Sequence, residues 1–281
     1  MTEQERQRTQ WEEEGYLVLR ELFNPALTAS LHKNCDRALE KWLACDPDTG
    51  QPGHMSTYVM RHLDRPEYTR ENDAQRIEIL EAAAMLDVLN VARAIFSEEP
   101  MYRCTSYWFN PREGRQDGNW HRDSQFSLTD ETKEREHIEH AEACGDGLQM
   151  QIALVASDDV EFVPGSHKRW DTPEEHRIRL AEKQKNCRSN EMPGALRIAL
   201  QPGDAVLFNS LGLHRGRYHA DKPRRTLMLT YTRTSRPCRD YFSRQPWMLE
   251  DGALAGLKPE TRAFYTKFVE QYRDFWCGVP V

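Results

Sequence analysis

Ala195-Leu-Arg-Ile-Ala-Leu-Gln-Pro-Gly-Asp-Ala-Val-Leu-Phe-Asn209 is the stretch whose reading decides the fold. Two short apolar runs, Ala195 to Leu200 and Ala205 to Asn209, flank the turn signal Gln201-Pro-Gly-Asp204, so the segment reads as strand, reversal, strand. Working outward, Met101 to Asn110, Trp120 to Phe126, Leu148 to Ala156, Val160 to Val163 and Thr226 to Thr232 also read as short strands. The first third is mainly helical: Met1 to Glu13, Asn24 to Trp42 and Ala74 to Phe96, with an extended run from Tyr16 to Phe23 and a Pro/Gly-rich loop from Asp46 to Thr69 between them. Short strands separated by Pro-Gly turns after helices predict a mainly β fold, a double-sheet sandwich with flanking helices. The tail, Pro259 to Trp276, reads as a helix whose Phe264, Phe268, Tyr272 and Trp276 recur every four residues, a stripe suited to core or dimer packing.

Composition narrows the class. Of 281 residues, 30% are charged and the formal charge is −7, yet aromatic residues are spread along the chain, which favours packing over disorder. The acidic balance argues against nucleic-acid binding. The charged N-terminus and the lack of a long apolar run predict a soluble, cytoplasmic protein with no membrane partner. Seven Cys without a C-x-x-C pair argue against a disulfide framework or a thiolate zinc site. No repeat or flexible linker appears, so residues 1–281 are read as one domain: helical support over about 1–100, a β core over about 101–235 and a closing helix over about 259–276.

Ten histidines carry the chemical signal. His-x-Asp or His-x-Glu on a strand puts both side chains on one face, and with a distant His it forms the facial set that suits non-haem Fe(II). With ten His and 45 acids in 281 residues, chance alone predicts roughly 1.6 such triplets. The chain has five: His62-Leu-Asp64, His121-Arg-Asp123, His137-Ile-Glu139, His140-Ala-Glu142 and His219-Ala-Asp221. His137 and His140 fall in a charged insertion, Leu128 to Asp146, predicted helical, where residues i and i+2 diverge. His62 lies in a loop, and no His follows Asp221. His121 with Asp123 remains. His214, at the end of a turn, strand and small-residue bend, is the distal partner, and Arg225, eleven residues on, offers a bidentate fork for a carboxylate.

Trp120-His-Arg-Asp123, Phe162-Val-Pro-Gly-Ser-His167, Pro202-Gly-Asp204 and His214 followed by Arg225 resemble the phytanoyl-CoA dioxygenase family of Fe(II)/2-oxoglutarate-dependent oxygenases, and Glu14-Gly-Tyr-Leu-Val-Leu19 fits its opening. The resemblance covers about Trp11 to Thr232. It implies a double-stranded β-helix (jelly-roll, cupin-like) core, with His121, Asp123 and His214 as iron ligands and catalytic centre. It also implies Fe(II), 2-oxoglutarate and O2 as cofactor and co-substrates, with Arg225 holding the distal carboxylate of 2-oxoglutarate. Gln149 and Gln151 share a strand face where they suit cofactor contact, although solvent-facing Gln is an equal reading. The family's halogenases have a small residue in place of the carboxylate, so Asp123 implies hydroxylation, desaturation or epoxidation. Two residues after the distal His, where many members have a hydroxyl, this chain has Gly216.

The expected substrate is a small molecule. Arg122, Arg215 and Trp120 adjoin the ligand positions and are the candidate substrate contacts. Nine Lys or Arg against two Asp between residues 215 and 244 suit an anionic substrate, with solvated loops an equal reading. The insertion after Leu128 is either an active-site lid or a surface helix, and the chain either a monomer or a homodimer. Two further classes stay open: a non-oxidative cupin-like metal enzyme, and a catalytically silent binding protein on the same scaffold.

Overall fold

The Gln201–Asp204 turn does not close a hairpin; it carries the chain from one sheet to the other. In a computed structural model, described over residues 2–45, 59–69, 71–110, 117–141, 145 and 147–278, the strands are β1 (Tyr16–Leu19), β2 (Val59–Arg61), β3 (Pro100–Phe109), β4 (Gly147–Ala153), β5 (Ser157–Phe162), β6 (Leu196–Leu200), β7 (Ala205–Phe208), β8 (His214–Gly216) and β9 (Arg225–Arg233). They form a six-stranded sheet, β1-β7-β4-β9-β3-β2, and a three-stranded sheet, β6-β5-β8. Every pairing is antiparallel. At the corner, Asp204 accepts from the backbone N–H groups of Gln201 and Glu21, both at 2.9 Å. Gly203 has φ +92°, and a Cβ there would stand 2.3 Å from the Phe23 carbonyl oxygen, so only glycine fits.

Alternation along the strands sorts two cores. Leu148, Met150, Ile152, Leu207, Leu227, Leu229 and Tyr231 pack against the helices Pro25–Cys45, Asp73–Ala83, Leu86–Phe96 and Pro259–Trp276. The opposite face, with Ala153, Val206 and Phe208, meets Val160, Phe162, Ile198 and Leu200 of the smaller sheet. This inner space is the jelly-roll interior. The final helix holds its aromatic stripe in the core: Phe268 lies 5.0 Å from Tyr102 edge-on, and the Trp276 indole N–H donates to the Ser243 carbonyl at 2.7 Å.

Several expectations change in detail. The helix expected from Ala74 to Phe96 is two, broken at Ala84 and Met85. Buried tyrosines take carbonyls at the end of the first: Tyr265 Oη donates to Leu80 at 3.0 Å and Tyr231 Oη to Ala83 at 2.6 Å, so the helix terminates without Gly or Pro. Trp120 to Phe126 is not a strand. Only His121 forms a bridge, to His214, and Asp123–Phe126 is a 3-10 turn, because Asp123 N–H turns away to the Ser210 carbonyl. The insertion contains the helix Glu131–His140. Strand β2 and the helix Pro66–Thr69 lie where a loop was expected; residues 46–58 of that loop, most of the turn Pro111 to Asn119, and 142–144 with 146 of the insertion lie outside the described residues.

Candidate metal centre

His121 and His214 face each other as a backbone pair. Each N–H donates to the other's carbonyl at 3.0 Å, which brings their side chains to one face of the inner space. The ring centroids are 4.2 Å apart. Asp123 Oδ1 stands 3.6 Å from His121 Nε2 and 3.5 Å from His214 Nε2. Among the described residues this is the one group of three whose ligand atoms all lie within 4.8 Å of one another.

Second contacts fix the imidazoles. His121 Nδ1 lies 2.7 Å from the Asn119 carbonyl and His214 Nδ1 2.9 Å from that of Gly212. The Nε2 side of both rings is thereby turned toward Asp123 and toward any ion placed between them. Burial, then the charge of His214, pushes the His121 pKa down to about 4. Burial opposes ionisation of Asp123, but hydrogen bonding and charge from His214, with help from His121 and Gln149, hold it below the usual range. Gln149 donates to Asp123 Oδ2 at 2.5 Å. Two imidazoles and one carboxylate, with 36% of the Asp123 side chain still open, are a donor set for a divalent ion that keeps free positions.

The other predicted site residues separate. Arg122 is fully buried and points away from the metal side: it pairs with Asp171 at 2.8 Å, donates to the Ser166 carbonyl at 2.7 Å, and also reaches the Leu211 carbonyl. Asp171 in turn holds Arg179, which reaches Glu134 at 3.1 Å. Arg215 pairs with Glu161 and Asn190 and lies 4.7 Å over Trp120, whose N–H donates to the Ser189 carbonyl. Arg122, Arg215 and Trp120 are therefore not substrate contacts, since their polar groups are consumed by buried internal partners. Arg217 is likewise engaged, by Asp117 and Glu161.

Arg225 is a correction of another kind. Its guanidinium lies on the helix face of the large sheet, 2.7 Å from Asp36 Oδ1 and 2.9 Å from Asn110 Oδ1, where it cannot reach the metal. Arg224 turns inward. Its guanidinium carbon is 5.0 Å from the Trp108 ring centroid and 4.7 Å from that of Tyr218, and Nε and Nη1 are buried without a hydrogen-bond acceptor. Gly216 sits two residues from His214 on the same face of β8, and a Cβ there would lie 3.2 Å from Arg224 Nη1 and 2.6 Å from Tyr218 Oη. Arg224 and Tyr218 thus lie on the same side of β8 as His214. The sequence carried a signal for this: Leu227, Leu229 and Tyr231 mark the odd positions of β9 as the helix face, which assigns Arg225 to it and Arg224 to the other. Phe126 was also missed. Its ring is 70% exposed and its centroid 5.4 Å from that of His121.

A family model described as phytanoyl-CoA dioxygenase matches residues 11–226. The chain belongs to the phytanoyl-CoA dioxygenase family. Members of the phytanoyl-CoA dioxygenase family are Fe(II)- and 2-oxoglutarate-dependent and use O2. Among solved structures, EctD from S. alaskensis with 2-oxoglutarate and 5-hydroxyectoine is 21% identical, with 93% of this chain and 86% of that one covered at a TM-score of 0.60. AviO1 from Streptomyces viridochromogenes is 16% identical over 85% and 98% of the two chains, TM-score 0.57. The α-ketoglutarate-dependent epimerase SnoN from nogalamycin biosynthesis is 16% identical over 82% and 80%, TM-score 0.55. These likenesses place the fold of this phytanoyl-CoA dioxygenase family member. No curated protein matches the chain.

Proposed function

We propose that this protein is an Fe(II)- and 2-oxoglutarate-dependent dioxygenase that oxidises a small molecule, hydroxylation being the reaction we assign. The observation that carries the reading is a two-His, one-carboxylate set beside the buried guanidinium of Arg224, whose Nε and Nη1 make no hydrogen bond and whose nearest carboxylate, Asp159, stands 3.9 Å away. Buried N–H donors without an acceptor are costly, and a carboxylate from a ligand would accept from them bidentately. A non-oxidative cupin-like metal enzyme or a silent binding protein has no use for that group.

His121, Asp123 and His214 would hold the iron, and Gln149 would keep the Asp123 carboxylate turned toward it. Arg224 replaces Arg225 as the residue we assign to the distal carboxylate of 2-oxoglutarate. Tyr218 Oη stands where a side chain at position 216 would begin, so we assign it the hydroxyl contact that Gly216 cannot make. Gln151 lies on the same face as Gln149 with its Oε1 buried without a donor, so a contact to the co-substrate would come from its amide N–H after the amide is turned. When bound, iron with 2-oxoglutarate and O2 supplies the oxidising chemistry; the chain's own part is to orient both and keep water out. Epimerisation and ring closure are also chemistries of similar folds, and Asp123 as a third ligand is compatible with each non-halogenating outcome.

The test is an anaerobic titration with Fe(II) and 2-oxoglutarate, read by the charge-transfer absorption of the chelate, followed by succinate release on admitting O2 and metabolite pools. Absence of both signals would remove the assignment.

A further inference from the structure

Of the arginines that the sequence offers for an anionic substrate, Arg122, Arg215 and Arg217 are engaged by internal carboxylates. Arg61 is not. It lies on β2, paired with Ser106, which pairs with Met228, which pairs with Gln151. Directly paired residues share a face of the sheet, so Arg61 belongs to the inner face that carries Gln149 and Gln151, while its neighbour Met60 is in the helix-side core. Three strand spacings put β2 about 14 Å from β4, whose Gln149 contacts Asp123, a span on the scale of a small metabolite.

Arg61 lacks what Arg103 has. Both guanidinium groups lie over the Phe242 ring, 5.0 Å and 4.7 Å from its centroid, but Arg103 is paired with Asp240. Arg61 Nε is buried without an acceptor, and no carboxylate pairs with Arg61 among the described residues. The adjacent His62 offers no negative charge; burial and the charges of Arg65 and Arg61 keep it neutral. An unpaired guanidinium with a buried donor is costly by itself, and a planar oxyanion seated on it would remove that cost.

We propose that Arg61 docks an oxyanion of the substrate, a carboxylate or a phosphate ester, with Phe242 holding the guanidinium in place. The assignment rests on the oxygenase reading and names the substrate class of that site. It is tested with Mn(II)-loaded protein saturated with 2-oxoglutarate, using benzoate, phenyl phosphate and benzyl alcohol as probes, with binding read from the paramagnetic relaxation of their nuclei. At least one anion should bind and the neutral alcohol at least tenfold more weakly; benzoate or phenyl phosphate as the better probe tells an acid from a phosphate ester. Arg61→Gln should lower anion affinity at least tenfold without changing 2-oxoglutarate affinity, and Arg61→Lys should keep part of it. Equal binding of anions and alcohol, unchanged anion binding in Arg61→Gln, or loss of 2-oxoglutarate affinity in that variant would overturn the proposal. Failure of the wild-type protein to take up Mn(II) and 2-oxoglutarate would overturn the oxygenase reading first, and this assignment with it.

Discussion

Arg224 and Arg225 are neighbours in the chain, yet their guanidinium groups lie on opposite faces of the large sheet, one against Trp108 and Tyr218, the other on Asp36. Successive side chains on a strand must diverge in this way. Arg224→Ala is therefore expected to weaken 2-oxoglutarate binding by about 100-fold, on the scale of a lost charge-assisted bidentate pair. Arg225→Ala should bind 2-oxoglutarate normally and lose only about 1 kcal/mol of stability, because its ion pair with Asp36 is partly exposed. Titration of the charge-transfer band in both variants checks the order; the reverse order would return the role to Arg225.

Tyr218 and Gly216 form a second pair whose substitutions should couple. Tyr218→Phe is expected to weaken 2-oxoglutarate binding about fivefold, the size of one neutral hydrogen bond. Gly216→Ser alone should also weaken it, since its Cβ would meet Tyr218 Oη at 2.6 Å. Combined, the closest clash is gone, leaving Cζ at 2.9 Å, and a new hydroxyl is present, so the losses in the double variant should be less than additive. Additive losses in the double-mutant cycle would remove Tyr218 from the co-substrate contact.

Loss of a metal ligand should leave the fold intact. Asp123→Ala and His214→Ala are expected to abolish Fe(II) uptake while circular dichroism and the unfolding transition stay within about 1 kcal/mol of wild type, because neither side chain is part of an apolar core. Metal content after dialysis, with iron retained in either variant as the contrary result, decides this.

Acid should destabilise the metal-free protein earlier than carboxylate titration alone would. His62 is pushed down to about 3, and His121 and His167 to about 4, in each case chiefly by burial. A folded-state value below the ordinary His range means that the unfolded chain binds the proton better. The stability these groups contribute is complete above about pH 6.5 and falls as the pH drops toward 4, by about 1.4 kcal/mol per pH unit for each His. Urea unfolding of the apo protein between pH 7.5 and 5 should show the decline, and His167→Gln should make it shallower. A flat profile over that range would contradict the buried, neutral state of these rings.

The acid-base cluster behind the metal loop gives a stability prediction of opposite origin. Arg122, Asp171, Arg179 and Glu134 are all buried, two charges of each sign, and they join the metal loop to the helices Glu131–His140 and Pro173–Arg179. Asp171→Asn leaves buried cations short of a counter-charge and should cost roughly 3–5 kcal/mol. The same variant should weaken Fe(II) binding, because Arg122 sits between two ligands; a melt unchanged from wild type would show that the cluster is not energetically coupled.

How much of this was legible in the sequence depended on the reach of the interaction. Strand period and turn chemistry are local, so the order of the strands, the closing helix and the ligand trio His121, Asp123 and His214 were readable from residue types a few positions apart. The Gln201–Asp204 turn was recognised as a reversal, but whether it closes a hairpin or crosses between sheets depends on which strands lie beside it. Arg122, Arg215 and Trp120 looked like substrate contacts because they adjoin the ligands in sequence. Their partners Asp171, Glu161 and Ser189 are 40 or more residues away, and only the folded chain brings them within hydrogen-bond distance.

The sequence by itself therefore determined the family and the jelly-roll and singled out His121, Asp123 and His214, the trio that the fold brings together, since these rest on short-range spacing and alternation. Only the tertiary structure decided which cations are free. A guanidinium takes part in binding when no internal carboxylate or carbonyl reaches it, and that depends on the packing of distant segments. Arg122, Arg215 and Arg225 are hydrogen-bonded within the protein, whereas Arg224, 3.9 Å from Asp159, and Arg61 keep buried donors without an acceptor among the described residues.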